Sequence, residues 1–283
     1  MIDLHIHTNS SDGSLSPSKV VRLARQADLE AIGITDHDSI DGIGEFMGEC
    51  RSAGIEGVAG IEIGVKYRLV TMHLLGYFID PEAVSLGALL GRVKSERVHR
   101  IKKVVEKLNG IGVPLDLDEV NQVAGDSPPG RPHVALALKR KGSVESVEEA
   151  FSQYLEKGRE AFVERYKPTF DEAKRAIEQA GGISVLAHPI SIGADCDSLF
   201  DLLRKFSGDG LSGVEVYHPN QDEDFQKMLL GMAKKLSLAV TGGSDFHGEA
   251  KPEWRIGVGL GDMRIPYVLL GELRKRLERK NSN

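Results

Sequence analysis

Short apolar runs alternate with amphipathic stretches at both ends of this 283-residue chain, and that alternation limits the folds open to it. "IDLHI" (2–6), "EAIGITD" (30–36), "EGVAGIEIGV" (56–65) and "RLVTMHLLGYFI" (68–79) read as strands. Between them, "SPSKVVRLARQADL" (16–29) has apolar residues at helical spacing, with Ser16 or Ser18 placed to cap it and Pro17 in the first turn. Residues 40–53 read as a second helix. The alternation returns after residue 168. It predicts a helix over 169–182, the strand "ISVLAH" (183–188), a helix near 198–207 and the strand "GVEVYH" (213–218). A helix near 221–236, the strand "LAVTGGSDFH" (238–247) and a last helix near 266–279 complete the series. Strand–helix repetition implies parallel strands joined by crossover helices. The count predicts about seven parallel strands inside a helical shell, a (β/α) barrel, with an open doubly wound sheet as the competing architecture.

The segment 81–167 breaks this pattern, because its periodicity is helical throughout. The expected organisation is a barrel domain formed by 1–80 and 168–283, with a helical insertion subdomain at 81–167. At 41% hydrophobic residues the chain has material for a sizeable core. Its net charge of −6 argues against a broadly basic surface for long nucleic acid or an anionic membrane. No run approaches the roughly 20 apolar residues of a membrane span. Cys50 and Cys196 lie far apart and read as free thiols of a reducing compartment. With no signal-peptide pattern at the N-terminus, the expected location is cytoplasmic.

The histidines are not scattered at random. His5 and His7 end the first strand, His37 follows the second, His73 lies in "TMHLLGY", His188 ends "SVLAHP", and His247 ends "TGGSDFH". Glu62 and Asp245 occupy comparable places. In a parallel barrel the C-terminal strand ends converge on one face, where active sites form. Alternate strand residues share a side, so His5 projects with His7, and Asp245 with His247. Taken singly, each histidine reads as an ordinary core or surface residue. Six of nine at strand ends is a pattern that calls for a metal.

The set "DLHIHTNSSDG", "GITDHDS", "GIEI", "HLLGYF", "LAHP" and "GGSDFHG" resembles the polymerase and histidinol phosphatase (PHP) family of metal-dependent phosphoesterases. The helical insertion, with "GRPHVALAL", looks like the subgroup that hydrolyses nucleoside 3′,5′-bisphosphates, some members of which act on RNA 5′ ends. The resemblance implies a distorted (β/α)7 barrel with three divalent ions. It implies that His5, His7, Glu62 and Asp245 hold the first, Glu62, His73 and His188 the second, and Asp12, His37 and His247 the third. Asp245, His247 and His188 would stand nearest the reaction. Imidazole and carboxylate donors without thiolate suit Mn²⁺, Zn²⁺ or Fe²⁺. Three carboxylates would leave half the charge of three dications uncompensated, which favours an anionic phosphate. Asp36 and Asp38 read either as partners that orient imidazoles or as caps of the next helix.

His99 lies on a basic helix and reads as solvent-facing. Arg131 and His133 in "GRPH", at a helix start, read as a grip for a second phosphate, with Arg97 and Arg100 as partners; a plain solvated face is the alternative for that pair. His218 in "VEVYHPN" reads as facing the mouth of the site. The expected partner is a small phosphorylated molecule, a nucleotide. Histidinol phosphate, another small phosphate ester, and the 5′ end of a short RNA are alternative substrates. A non-catalytic metal-binding module and an amidohydrolase on a related barrel are readings of other classes. The latter lacks a lysine at a strand end to serve as a carboxylated bridge.

Overall fold

The computed structural model describes residues 1–125 and 129–282. Seven strands form one sheet in sequence order: β1 (Ile2–Ile6), β2 (Ala31–Ile34), β3 (Glu56–Tyr67), β4 (Val70–Tyr77), β5 (Ile183–Leu186), β6 (Gly213–Tyr217) and β7 (Ala239–Gly242). Helices α1 (Pro17–Gln26) and α2 (Ile43–Ala53) link the first strands. Then α7 (Phe170–Gln179), α8 (Cys196–Gly208), α9 (Glu223–Leu236) and α10 (Val268–Asn281) serve the second half. The insertion carries α3 (Val84–Gly110), α4 (Leu117–Ala124), α5 (Arg131–Arg140) and α6 (Val147–Ala150), the last continuing as a π-turn through Leu155. Two compact units result, residues 1–89 with 168–283, and residues 90–167.

The first unit is a mixed sheet rolled nearly into a barrel. Ile6 bridges Phe246 in parallel, and the His7 N–H donates to the Phe246 carbonyl at 2.9 Å, which brings the first and last strands together. One strand departs from the expected direction. β4 runs antiparallel to both β3 and β5, with Gly64 opposite His73 and Leu75 opposite Val185. The cause is local. Only Arg68 and Leu69 separate β3 from β4, and two residues make a hairpin, whereas a parallel return needs a crossover of a dozen or more. Arg68 takes φ 54° in that turn. The expected seven parallel strands are therefore six, with β4 reversed.

β1 shows how the sheet supports a site. Ile2, Leu4 and Ile6 alternate with Asp3, His5 and His7, so one face is apolar and the other carries chemistry; both are buried. Ile2 and Leu4 join Val58, Leu75, Tyr77, Val185 and the α10 residues Leu270 and Leu273 in one apolar cluster. Helix α7 starts on a capping box, where Thr169 Oγ1 accepts from the Glu172 N–H and the Glu172 carboxylate accepts from the Thr169 N–H. Ser16 stands at the start of α1 without a side-chain cap bond, and Ser18 donates instead to Glu45 on α2. The second unit has its own core, in which Ile101, Val104 and Leu108 meet Val120, Val134, Leu138 and Leu155.

The chain after β7 packs backbone to backbone on β1. A Cβ at Gly243 would lie 2.3 Å from both the backbone nitrogen and the Cβ of His5. Replacing Gly243 with alanine is expected to wedge the two segments apart and to destabilise the fold by about 1–3 kcal/mol, the usual range for overpacking. A thermal melt of Gly243→Ala indistinguishable from that of the unmodified chain would contradict this packing.

Candidate metal centre

Glu62 is the hub. Its strand, β3, runs on past the barrel rim into the hairpin, so Glu62 lies in mid-strand and is 1% exposed. Its Oε2 faces His5 Nε2 at 3.3 Å, His7 Nε2 at 3.2 Å and His37 Nδ1 at 3.1 Å. Its Oε1 faces His73 Nδ1 at 2.8 Å and His188 Nε2 at 3.0 Å. His73 reaches this point because β4 is reversed. A residue early in an antiparallel strand sits at the same rim as residues late in its parallel neighbours.

Three groups of donors converge: His5, His7, Glu62 and Asp245; His7, Asp12, His37 and His247; and His37, Glu62 and His73. All nine residues expected from the motifs are thus gathered, with His188 joined through Glu62 Oε1. The first group tests the fit of a cation. His5 Nε2 and His7 Nε2 are 3.1 Å apart, and Asp245 Oδ1 lies 3.4 and 3.0 Å from them. Donors about 2.0–2.1 Å from a four-coordinate ion sit about 3.3–3.4 Å from one another. The observed edges fall close to that figure. His7 Nδ1 and His73 Nδ1 are buried beside carboxylates yet have no hydrogen-bond partner among the described residues. Their surroundings suit a shared cation.

The far nitrogens are tied down. His5 Nδ1 meets Glu215 Oε1 at 2.9 Å, His188 Nδ1 meets Ser191 Oγ at 3.0 Å, and His247 Nδ1 donates to the Asp245 carbonyl at 2.7 Å. Each contact leaves Nε2 aimed at the cluster, the arrangement that fixes tautomer and ring orientation at metal sites. The Asp245–His247 pair arises otherwise than expected. β7 ends at Gly242, and Asp245 takes φ 49°, so a turn rather than strand alternation brings the two together. His188 is strained as well, at φ 23°. Its N–H donates to Glu215 Oε2 at 2.7 Å.

Charge follows this geometry. Burial opposes a proton on His5 and His7, but the surrounding carboxylates prevail and raise both, His7 to about 10. His37 is pushed down to about 3 by burial, aided by its imidazole neighbours. Burial would raise Glu62, Asp245 and Asp12, yet the imidazoles hold all three below the usual carboxylate range.

Other expected residues lie as follows. Asp36 neither caps a helix nor meets an imidazole. Its Oδ1 accepts from the Thr8 N–H and its Oδ2 from the Thr8 hydroxyl, both at 2.7 Å, which pins the loop that carries Asp12. Asp38 Oδ1 accepts from the Gly64 N–H at 3.3 Å. His218 is 3% exposed, with Nε2 3.5 Å from Asp245 Oδ2. His99 is exposed. Within the second unit, Arg100 Nε donates to the Val163 carbonyl at 2.7 Å, and Arg131 Nη1 to the Leu155 carbonyl at 2.9 Å. Burial, followed by the guanidiniums of Arg131, Arg165 and Arg97, lowers Arg100 to about 10. His133 Nδ1 accepts from the Gly130 N–H at 3.1 Å, at the start of α5.

Sequence reasoning missed three residues at this centre. Glu215 is fully buried, and its only signal was a lone charge inside the apolar run "GVEVY". Asp3, also fully buried, accepts from the Ser244 N–H at 2.9 Å and the Gly257 N–H at 2.7 Å, and so anchors the Asp245 turn to β1. Lys251, 3.0 Å from Asp245 Oδ2, had no signal at all.

The family model of the PHP domain matches residues 3–180. A 5′-3′ exoribonuclease of Haemophilus influenzae is 33% identical over 245 residues, covering 87% of this chain and 89% of that protein. A 3′,5′-nucleoside bisphosphate phosphatase of Chromobacterium violaceum is 29% identical, covering 87% of each. A solved structure from Bifidobacterium adolescentis, of a protein described as a metal-dependent phosphoesterase, superposes with a TM-score of 0.74 at 30% identity, over 97% of this chain and 96% of that one. With the family model matching residues 3–180 and a relative 33% identical over 87% of its length, the chain belongs to the PHP domain family.

Proposed function

We propose that this PHP phosphoesterase uses three divalent ions, Mn²⁺, Zn²⁺ or Fe²⁺, to hydrolyse the 3′-phosphate of small nucleoside 3′,5′-bisphosphates. The observation that carries the reaction is Glu62, whose two oxygens serve five imidazoles from four segments of the chain. His5, His7, Glu62 and Asp245 would hold one ion, Glu62, His73 and His188 a second, and Asp12, His37 and His247 a third, with His37 near enough to Glu62 to share the second. Such ions supply positive charge for phosphoryl oxygens and lower the pKa of a coordinated water toward about 7. The protein's own part is orientation. Glu215 holds His5 and the strained His188 backbone, Ser191 holds the His188 ring, and Asp36 holds the loop of Asp12. No side-chain nucleophile is required.

The substrate assignment rests on the bisphosphate phosphatase relative and on the insertion, where Arg97, Arg100, Arg131 and Arg165 crowd like charges together. With His133, the first three would take the second phosphate. The exoribonuclease relative favours a second reading, a short RNA bearing a 5′-phosphate. Chemically that end presents the same pair of groups, a 5′-phosphate and a phosphorus ester at the 3′ oxygen.

Four measurements test these readings. Phosphate release by the manganese-loaded chain is expected from nucleoside 3′,5′-bisphosphates well above that from 3′- or 5′-monophosphates or histidinol phosphate, and above the release of nucleoside 5′-monophosphate from 5′-phosphorylated oligoribonucleotides; equal turnover of the monophosphates would remove the two-phosphate grip. Arg131→Ala should raise KM for the bisphosphate about 10–100-fold, the weight of a charge-assisted hydrogen bond, and leave monophosphate turnover nearly unchanged. In Glu215→Gln the amide must turn its NH₂ toward either the His5 or the His188 donor, so metal affinity by chelator competition should fall about 10–100-fold. The pH dependence has a definite sign. His7, raised to about 10, keeps its proton through neutral pH in the metal-free protein, so uptake expels protons and affinity must rise with pH. Calorimetry in buffers of different ionisation enthalpy should register that release between pH 6 and about 8.

A further inference from the structure

Beside Glu62 lies a cavity of about 240 Å³, below the roughly 300–1,000 Å³ of drug-sized sites and ample for a phosphoryl group. Imidazoles and carboxylates of the cluster line it, together with Ser191, Asn220, Lys251 and Trp254. Lys251 is the cation among them, and two contacts hold it there. Its Nζ lies 3.0 Å from Asp245 Oδ2 and 4.2 Å from the centre of the Trp254 ring. Trp254 is itself 9% exposed and meets the His218 ring edge-on at 5.5 Å.

Asp245 is divided between two tasks. Its Oδ1 faces His5 and His7, while its Oδ2 faces Lys251 and His218. The ammonium therefore stands one carboxylate away from the donor cluster, on the cavity side. An exposed lysine pair is usually loose and contributes little. Here the partner is buried, an aromatic face lies beneath the amine, and the side chain is 34% exposed. A compact point charge fixed at a cavity wall is suited to a phosphoryl oxygen, where charge is shared over three equatorial atoms during transfer.

We propose that Lys251 is a substrate-binding residue of this pocket, its ammonium contacting a non-bridging oxygen of the phosphate ester. The proposal deepens the phosphoesterase reading and depends on it for the identity of the ligand. Lys251→Met keeps an unbranched side chain and removes the charge, and Lys251→Arg keeps the charge.

The experiment uses the full manganese-loaded chain and inorganic phosphate as the probe. Phosphate binding by calorimetry, kcat/KM for phosphate release, and metal content per chain are read together, with a thermal melt to show that each variant is folded. Lys251→Met is expected to weaken phosphate binding and kcat/KM about 10–100-fold at unchanged metal content, with Lys251→Arg recovering part of the loss. Unchanged phosphate binding by a metal-saturated, folded Lys251→Met protein overturns the proposal. So does a loss of metal that extra manganese restores together with full phosphate binding, since Lys251 would then only balance Asp245. If the unmodified chain releases phosphate from no ester, the phosphoesterase reading fails on its own, while the phosphate titrations still decide the role of Lys251.

Discussion

One buried carboxylate organises the barrel mouth. An ionised Glu62 with 1% exposure has lost its water, and removing water from a charge costs several kcal/mol unless cations replace it. Five imidazole nitrogens lie within 3.3 Å of its two oxygens, drawn from β1, the segment after β2, β4 and the segment after β5. The reversed β4, the extension of β3 beyond the rim and the close approach of the chain after β7 to β1 all serve this convergence. Without cationic compensation such a centre would be an electrostatic fault in the core; with it, the same residues become a preorganised site for divalent ions.

Around the hub, a second layer decides which nitrogen each ring offers. Glu215, Ser191 and the Asp245 carbonyl each occupy an Nδ1, and the three rings turn Nε2 inward. Asp3 and Asp36 do for the loops what these groups do for the rings, since each accepts main-chain N–H donors and fastens a ligand-bearing turn. Strained backbone at His188 and Asp245 fits this picture. Positive φ at non-glycine residues persists where surrounding contacts over-determine it, and it clusters at working sites.

Much of this was legible beforehand. The strand–helix alternation marked an α/β fold, the recurrence of His, Asp and Glu at strand ends marked eight of the nine residues that meet, and the family resemblance added the barrel and Asp12. Other features left no local trace. The reversal of β4 could have been inferred from the two-residue gap at Arg68 and Leu69, but apolar content does not encode direction. Asp245 and His247 were rightly paired for the wrong reason, because period-two spacing looks alike in a strand and in a tight turn. Asp36 read as either a helix cap or a partner for an imidazole, whereas its true partner, Thr8, lies 28 residues away. Glu215 and Lys251 matched no motif, and only their places in space relate them to the site.

What the sequence determined by itself was the kind of material: which segments become strands and helices, and which donors, imidazole and carboxylate but not thiolate, are on offer. Those properties follow from local periodicity and side-chain chemistry, which need no knowledge of distant residues. What only the tertiary structure decided was who meets whom. Whether Glu62 divides its oxygens among five rings, whether Glu215 reaches a histidine 210 positions away, and whether a lysine ends at a cavity wall all depend on strand direction and register. Those are settled by long-range pairing and packing, in which residues far apart along the chain must be brought within a few ångströms of one another.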